Sequence, residues 1–324
     1  MEKLVSILIP VYNRESLIAD AINSALSQNY SNTEIVIIDN CSTDNTYEIC
    51  AGYAANHQNI RLFRNDRNVG PIENFILCAE YATGAYTKYL LSDDFDSPDF
   101  LSKSVALMTE GVGFVIAGVS INSAISQWGK TTGYMSAKTY LDDVVYLGGP
   151  AGTPGNALFR TEDVREYLNK TVKLHETLCF ECLGAGPDLM LLLEIANKYS
   201  QIGTIPEVLC FFGSPDDSVS VHFAEENRRE YRACYHMTKM DFLTRNRGDQ
   251  ELKQFFAYIW LSAIKSSGKY LDVQLALEIA KVDISTNNYP LPEVADLLRV
   301  LASLIYKKMK DRIKIIFIPR VESL

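Results

Sequence analysis

The chain has 324 residues, 47% of them hydrophobic and 22% charged, with a formal net charge of -9. This is a globular composition with room for one large domain and a smaller one, and its acidic balance argues against a nucleic-acid partner held by a basic face. Seven cysteines, an odd number scattered along the chain, suit a reducing cytoplasm rather than a disulfide framework.

Met1-Glu2-Lys3-Leu4-Val5 enters a strand-like run at once, so no signal peptide is expected. No stretch approaches the ~20 apolar residues of a membrane span. Residues 4–9 (LVSILI) predict a buried strand that stops at Pro10. Leu17, Ile18, Ala21, Ile22, Ala25 and Leu26 recur at helical spacing. Residues 35–38 (IVII) predict a second buried strand, ended by Asp39-Asn40, after which Thr43 or Asp44 can cap a helix through about Ala55. Ile60 to Phe63 reads as a short strand. Pro71 is placed to open a helix that Gly84 follows, and strand 86–91 leads to Asp93-Asp94. Ser97-Pro98 marks the next helix start, and Gly113–Val119 is another strand. Residues 120–156, richer in Gly, Ser and Thr, predict long loops. Helices are expected near 162–169 and over 188–199, with a strand over 202–212. From about Ala224 the chain turns helix-rich. The expected division is 1–223 for the α/β domain and 224–324 for a separate helical region.

Alternating strands and helices predict a mostly parallel sheet covered on both faces. The ends of its strands share one rim, where open α/β sheets bind ligands. Tyr12 and Asn13, Asp39 and Asn40, then Asp93 and Asp94 all fall at such ends. Adjacent carboxylates repel and lose solvation on burial, which a phosphate-bound divalent cation would relieve. The other reading of Asp93-Asp94 is a solvated turn, with Ser97 capping the following helix.

Other signatures fail. Gly184-Ala185-Gly186 lacks the third dinucleotide-loop glycine, since position 189 is Leu, and Gly268-Lys269 runs into Tyr270 without the upstream phosphate-loop glycine. No serine elbow or metalloprotease helix is present. Cys179 and Cys182 have no second close pair to complete a zinc site, so reduced thiols are expected.

The stretches Ile9-Pro10-Val11-Tyr12-Asn13-Arg14, Glu34 to Thr46 (EIVIIDNCSTDNT), Asn68-Val69-Gly70 with Asn74, and Ser92-Asp93-Asp94 followed by Pro98 are highly specific in combination and order. Together they resemble the family 2 glycosyltransferases with their GT-A fold. The resemblance is dense over residues 4–108, looser from 150 to 222, and does not cover the tail. It implies transfer of a sugar from a nucleotide-diphosphate donor with inversion at the anomeric carbon. Asp39 would then accept a hydrogen bond from the base, and Asp93 would contact the ribose or the metal's water shell. Asp94 would hold Mg²⁺ or Mn²⁺. Pro10, Tyr12, Asn13, Asn68, Gly70 and Asn74 would complete the donor site.

The family's general base opens a helix in a Glu-Asp pair. The matching place here is Pro187-Asp188, so Asp188 is the candidate base and Glu181 the second choice. Gly152–Phe159 resembles the acceptor-side loop. Gly155 and Asn156 would let backbone approach a sugar there, or form a plain turn, and Glu181 is grouped with them. Trp128 and Tyr134 would stack on a sugar or pack on the core. Two departures stand out. Leu91 takes the first acidic place of the usual Asp-x-Asp-Asp, and Ser214 stands near the family's metal-side histidine, with Asp216, Asp217 and His222 close by.

In residues 305–320, Lys307, Lys308, Lys310, Arg312, Lys314 and Arg320 stand against Asp311, six basic residues to one acid and a local charge of +5. Interleaved isoleucines make this stretch suited to docking on an anionic membrane surface, or to a solvated helix end and terminal strand. The resemblance then implies extension of a bacterial surface glycan on a glycan or lipid-linked acceptor. The expected location is cytoplasmic, with contact at the inner face of the membrane. The alternatives are a nucleotidyltransferase on a similar sheet and an inactive sugar-nucleotide-binding module.

Overall fold

The computed structural model describes residues 2–121, 123–146, 152–174, 186–213, 228–248, 250 and 255. Its centre is a sheet of strands β1 (Val5–Val11), β2 (Thr33–Asp39), β3 (Ile60–Arg64), β4 (Tyr86–Tyr89), β5 (Phe95–Asp96), β6 (Val112–Ile121), β7 (Ala124–Ser126), β8 (Gly133–Ser136), β9 (Ala157–Arg160) and β10 (Gln201–Phe212). The order across it is β3-β2-β1-β4-β9-β6-β10-β5, with β7 beside β6 and β8 beside β10. Helices are α1 (Ile18–Leu26), α2 (Thr46–Asn56), α3 (Pro71–Tyr81), α4 (Phe100–Leu107), α5 (Ala137–Tyr146), α6 (Thr161–Leu174), α7 (Pro187–Lys198) and α8 (Arg228–Asn246).

Strands β1 and β2 are apolar on both faces because helices cover both. Val5, Ile7, Ile9 and Val11 pack with Ile18, Ala21 and Ile22 of α1 and Phe100 and Leu101 of α4. Leu8, Val36 and Ile38 face the opposite layer, with Ile76 of α3, Tyr140 of α5, Val164 of α6 and the apolar run of α7. β1 pairs in parallel with β2 and β4, β2 with β3, and β6 with β10. β9 is antiparallel to both β4 and β6, so it returns β6 and β10 to the direction of β1. The C-terminal ends of β1, β2, β3, β4, β6 and β10 therefore share one rim. The reversed β9 brings its start to that rim.

The predicted loops over 120–156 are corrected: β7 and β8 are short strands there, and Ala137–Tyr146 is a helix, burying Tyr140, Leu141, Val144 and Val145. Lys138, Asp142 and Asp143 on its other face dilute the apolar signal. The helix after Ser97-Pro98 begins at Phe100. Trp128 is buried beside Tyr140, with ring centroids 5.1 Å apart, so its place is in the core. Tyr134 is exposed and pairs with Gly203 near the start of β10, away from the rim.

Helix α8 lies beyond the expected boundary at 223, which itself falls outside the described residues. It runs alongside α7 in the same direction. Arg245 pairs with Glu194 at 2.7 Å, and Asn246 meets Asn197 at 3.2 Å. Met240, Phe242 and Leu243 join the main core, and Lys239 Nζ donates to the Val144 carbonyl of α5 at 2.6 Å. No helix of the described residues is long and apolar enough to cross a membrane. Residues 305–320 lie outside the described residues.

Candidate active site at the strand rim

The rim begins where β1 ends. Asn13 adopts a left-handed backbone (φ 50°) and its Oδ1 accepts from the Thr43 N–H at 2.9 Å, while its own N–H donates to Ser42 Oγ at 2.9 Å. These bonds lock the turn after β1 to the turn after β2. Pro10 lies within β1, and Tyr12, just past its end, is 39% exposed.

Asp39 ends β2 with no exposed surface. Its Oδ2 accepts from the Ser42 N–H at 3.1 Å and pairs with Arg64 Nε at 3.2 Å. Its Oδ1 is buried and has no hydrogen-bond partner among the described residues. A buried carboxylate oxygen left without a donor is costly, and a ligand N–H arriving there would relieve that cost. Arg64, which stacks over Tyr47 at 4.5 Å, went unnoticed in the sequence.

A cluster of asparagine amides braces the next turn. Asn40 donates to Asn68 Oδ1 at 2.9 Å and to the Gly70 carbonyl at 3.2 Å, and accepts from Asn65 at 3.0 Å. Asn74 is buried, accepts from Asn65 at 3.0 Å and donates to the Ile38 carbonyl at 3.1 Å. Gly70 takes φ 91°, a left-handed conformation that side chains resist, just before Pro71 opens α3. Asn68 and Asn74 thus shape the loop through their amides.

Beyond β4 the chain continues through Leu90, whose N–H still bonds to Leu8 O at 2.9 Å, into the turn of Ser92, Asp93 and Asp94. Asp94 is 6% exposed, and its Oδ1 accepts from the Gly213 N–H at 3.0 Å. Gly213 lies so close to the turn that a Cβ there would stand 2.1 Å from the Asp93 carbonyl oxygen. Burial pushes the Asp94 carboxyl up to about 8, and the neighbouring Asp93 adds to the push. The Gly213 N–H and Lys88 oppose it.

Lys88 is another residue that sequence reasoning missed. It is 1% exposed on β4. Its Nζ pairs with Asp96 at 3.0 Å, donates to the Tyr89 carbonyl at 2.7 Å and to the Gly155 carbonyl, and lies 4.7 Å from the Phe100 ring centroid. A lysine inside an otherwise buried strand, eight residues before an acid on the same side of the motif, was the available signal. The Gly155 bond ties the loop before β9 to β4 and, through Lys88, to Asp96 of β5. Within that loop Asn156 is buried, donating to the Ala117 carbonyl at 2.7 Å and accepting from the Thr153 N–H at 2.9 Å. Gly155 and Asn156 form a capped turn, Pro154–Asn156, at the start of β9.

Asp188 stands in the first turn of α7, which ends just before β10 begins, so the start of the helix is directed towards the rim side of the sheet. Asp188 Oδ1 accepts from the Gly186 N–H at 3.1 Å, and Oδ2 accepts from Tyr235 Oη at 3.0 Å. Burial raises its carboxyl above the ordinary range against those hydrogen bonds. Glu181, Ser214, Asp216, Asp217, His222, Cys179 and Cys182 lie outside the described residues.

Among the described residues no three His, Cys, Asp or Glu side chains gather into a ligand cluster. The donor set still fits a hard divalent cation. Asp93 and Asp94 offer adjacent carboxylate oxygens, and a cation of this class takes its remaining ligands from phosphate oxygens and water.

The chain is similar to known proteins in sequence and in fold. The family model described as glycosyl transferase family 2 matches residues 6–168. A Haemophilus influenzae protein named only as a glycosyltransferase is 27% identical over 236 residues, covering 72% of this chain and 93% of its own length. A Bacillus subtilis glycosyltransferase named for teichuronic acid biosynthesis, TuaG, is 34% identical over 119 residues, 36% of this chain and 47% of that protein. The chain likewise spans 42% of B. subtilis EpsE. Staphylococcus aureus TarS in complex with UDP-GlcNAc superposes with a TM-score of 0.56 at 16% identity, over 94% of this chain and 81% of that one, which shows a shared GT-A fold. The matched segment runs from β1 through the rim turns to α6, half of the chain, and on that ground the chain belongs to glycosyl transferase family 2.

Proposed function

We propose that the chain is an inverting glycosyltransferase that moves a sugar from a nucleotide-diphosphate donor to a hydroxyl of a glycan or lipid-linked acceptor, in the synthesis of a bacterial surface polysaccharide. The observation that carries this reading is the convergence of Asp39, with its unpartnered buried oxygen, and the Asp93-Asp94 turn on one strand rim. The names of TuaG and TarS, a poly(ribitol-phosphate) β-N-acetylglucosaminyltransferase, support the surface-polymer context.

In this reading Asp39 Oδ1 accepts an N–H of the base, and Tyr12 and the Asn13 turn border the nucleoside. Asp93 contacts the ribose or a metal-bound water. Asp94 holds Mg²⁺ or Mn²⁺, which when bound offsets the charge developing on the departing diphosphate. Asp188 takes the proton of the acceptor hydroxyl from the side opposite the leaving group, which gives inversion. Its raised pKa suits that task, since a base works best when its pKa lies nearer the working pH. Gly155 and Asn156 border the acceptor. The basic stretch 305–320 rests on an anionic membrane at the inner face of the cytoplasmic membrane, bringing the site to a lipid-linked acceptor. The net charge of -9 sets nucleic acid aside as a partner.

A thermal-shift screen of UDP-, GDP-, dTDP- and CDP-sugars with Mn²⁺ tests the reading, because a ligand that binds only the folded state raises its melting temperature. One donor should stabilise the protein only with metal present, and Asp94→Ala should remove both that shift and nucleoside-diphosphate release. Metal-independent turnover by Asp94→Ala would overturn the metal assignment.

A further inference from the structure

The base candidate is held by a helix outside the segment that carries the family resemblance. Tyr235 of α8 donates its hydroxyl proton to Asp188 Oδ2 at 3.0 Å, and Asp188 Oδ1 accepts from the Gly186 N–H at 3.1 Å. Both carboxylate oxygens are therefore fixed from different directions. One partner belongs to the backbone before α7 and the other to a helix about 47 residues later in the chain. Helix α8 is itself anchored: Arg245 pairs with Glu194, Asn246 bonds to Glu194 at 3.2 Å, and Phe242 and Leu243 are buried in the main core. The Tyr235 hydroxyl is thus presented from a rigid element.

We propose that Tyr235 is a positioning residue for transfer: it orients the Asp188 carboxylate, so that α8 completes the acceptor half of the site. This inference rests on the reading of Asp188 as the base. An acid that abstracts a proton must present one lone pair to the incoming hydroxyl, and a base oriented by a third group is the recurring arrangement of such sites. Tyr235 satisfies the oxygen that is not needed for the proton and blocks rotation of the carboxylate. A purely structural hydrogen bond would serve helix packing alone, and α8 already has Arg245, Asn246 and Lys239 for that.

The test uses the full chain with Mn²⁺ and either UDP-GlcNAc or GDP-mannose, following nucleoside-diphosphate release with water standing in for the acceptor hydroxyl. Tyr235→Phe keeps the ring and removes the donor. It should lower kcat about tenfold, the loss of one modest transition-state interaction, with donor KM and melting temperature close to those of the unaltered protein. Tyr235→His, which restores an N–H donor near that place, should recover part of the loss. Asp188→Asn should abolish release while leaving donor binding intact. Tyr235→Phe with unaltered kcat beside an inactive Asp188→Asn would overturn this inference and leave the base assignment standing. An active Asp188→Asn would overturn both.

Discussion

Lys88 and Asp96 face each other at 3.0 Å beneath the Asp93-Asp94 turn, and neither side chain is more than 5% exposed. A buried ion pair of this kind is costly to form and more costly to break on one side, because the survivor is left charged in a low-dielectric interior. Lys88→Met should therefore destabilise the fold by about 3–5 kcal/mol. The double change Lys88→Met with Asp96→Asn should recover most of that loss. Urea unfolding of the three proteins checks it, and a single variant as stable as the parent would show that the pair is dispensable.

Asp39→Ala removes the buried, unpartnered oxygen at the end of β2, which the proposed function assigns to the nucleoside. Loss of a hydrogen bond to a charged group is worth about 1.5–3 kcal/mol, so the affinity for the cognate nucleoside diphosphate with Mn²⁺ should fall by tenfold or more. Titration calorimetry measures this directly. Since Arg64 and the Ser42 N–H lose their acceptor too, a modest drop in melting temperature should accompany it.

Gly213→Ala addresses the other end. The added methyl carbon would meet the Asp93 carbonyl oxygen at 2.1 Å, so the turn must move away and the Gly213–Asp94 bond must lengthen. Overpacking of this sort costs about 1–3 kcal/mol. Metal-dependent donor turnover should fall more steeply than stability does. Equal activity in variant and parent would mean that the turn tolerates displacement.

Glu34 supplies a pH dependence at the opposite edge of the sheet. Burial pushes its carboxyl up, but hydrogen bonds from Ser6 (2.6 Å), the Thr83 N–H, Arg61 and the Thr83 hydroxyl together outweigh it, leaving the group below the ordinary carboxylate range. A depressed acid stabilises the fold above its unfolded pKa and loses that contribution as pH falls through the folded value. The Glu34 contribution, read as the difference in stability between the parent and Glu34→Gln, should thus be constant near neutrality and shrink below about pH 4.3. Glu34→Gln should be less stable at pH 7 and show a shallower decline, which denaturant melts between pH 3 and 7 would record.

Most of the rim could be read in advance because its strands are buried on both faces. Runs such as residues 4–9 and 35–38 have no periodicity to confuse, and the polar residues ending them stand out. Asp39, Asp93 and Asp94 were visible for that reason. Helix α5 was not, since Lys138, Thr139, Asp142 and Asp143 give it a mixed face that resembles a loop. The antiparallel insertion of β9 between β4 and β6 depends on pairings between residues 41 to 74 positions apart, which no local pattern records. The partnership of Tyr235 with Asp188 is hidden for the same reason, and Lys88, although it stands out in an apolar run, has no visible partner until Asp96 is placed beside it.

The bond from the Gly213 N–H to Asp94 spans 119 residues of sequence. During synthesis the carboxylate turn leaves the ribosome long before the strand that closes it. The nascent chain can complete β1 to β4 and its asparagine cluster early, from contacts close in sequence, but the Asp93-Asp94 turn stays unlatched until β10 is made. Translation at about 5–20 residues per second separates the two events by several seconds. A chaperone or protease patrolling the nascent chain would meet a finished first half of the sheet carrying an open edge, and the ability to transfer sugar would be among the last properties the molecule acquires.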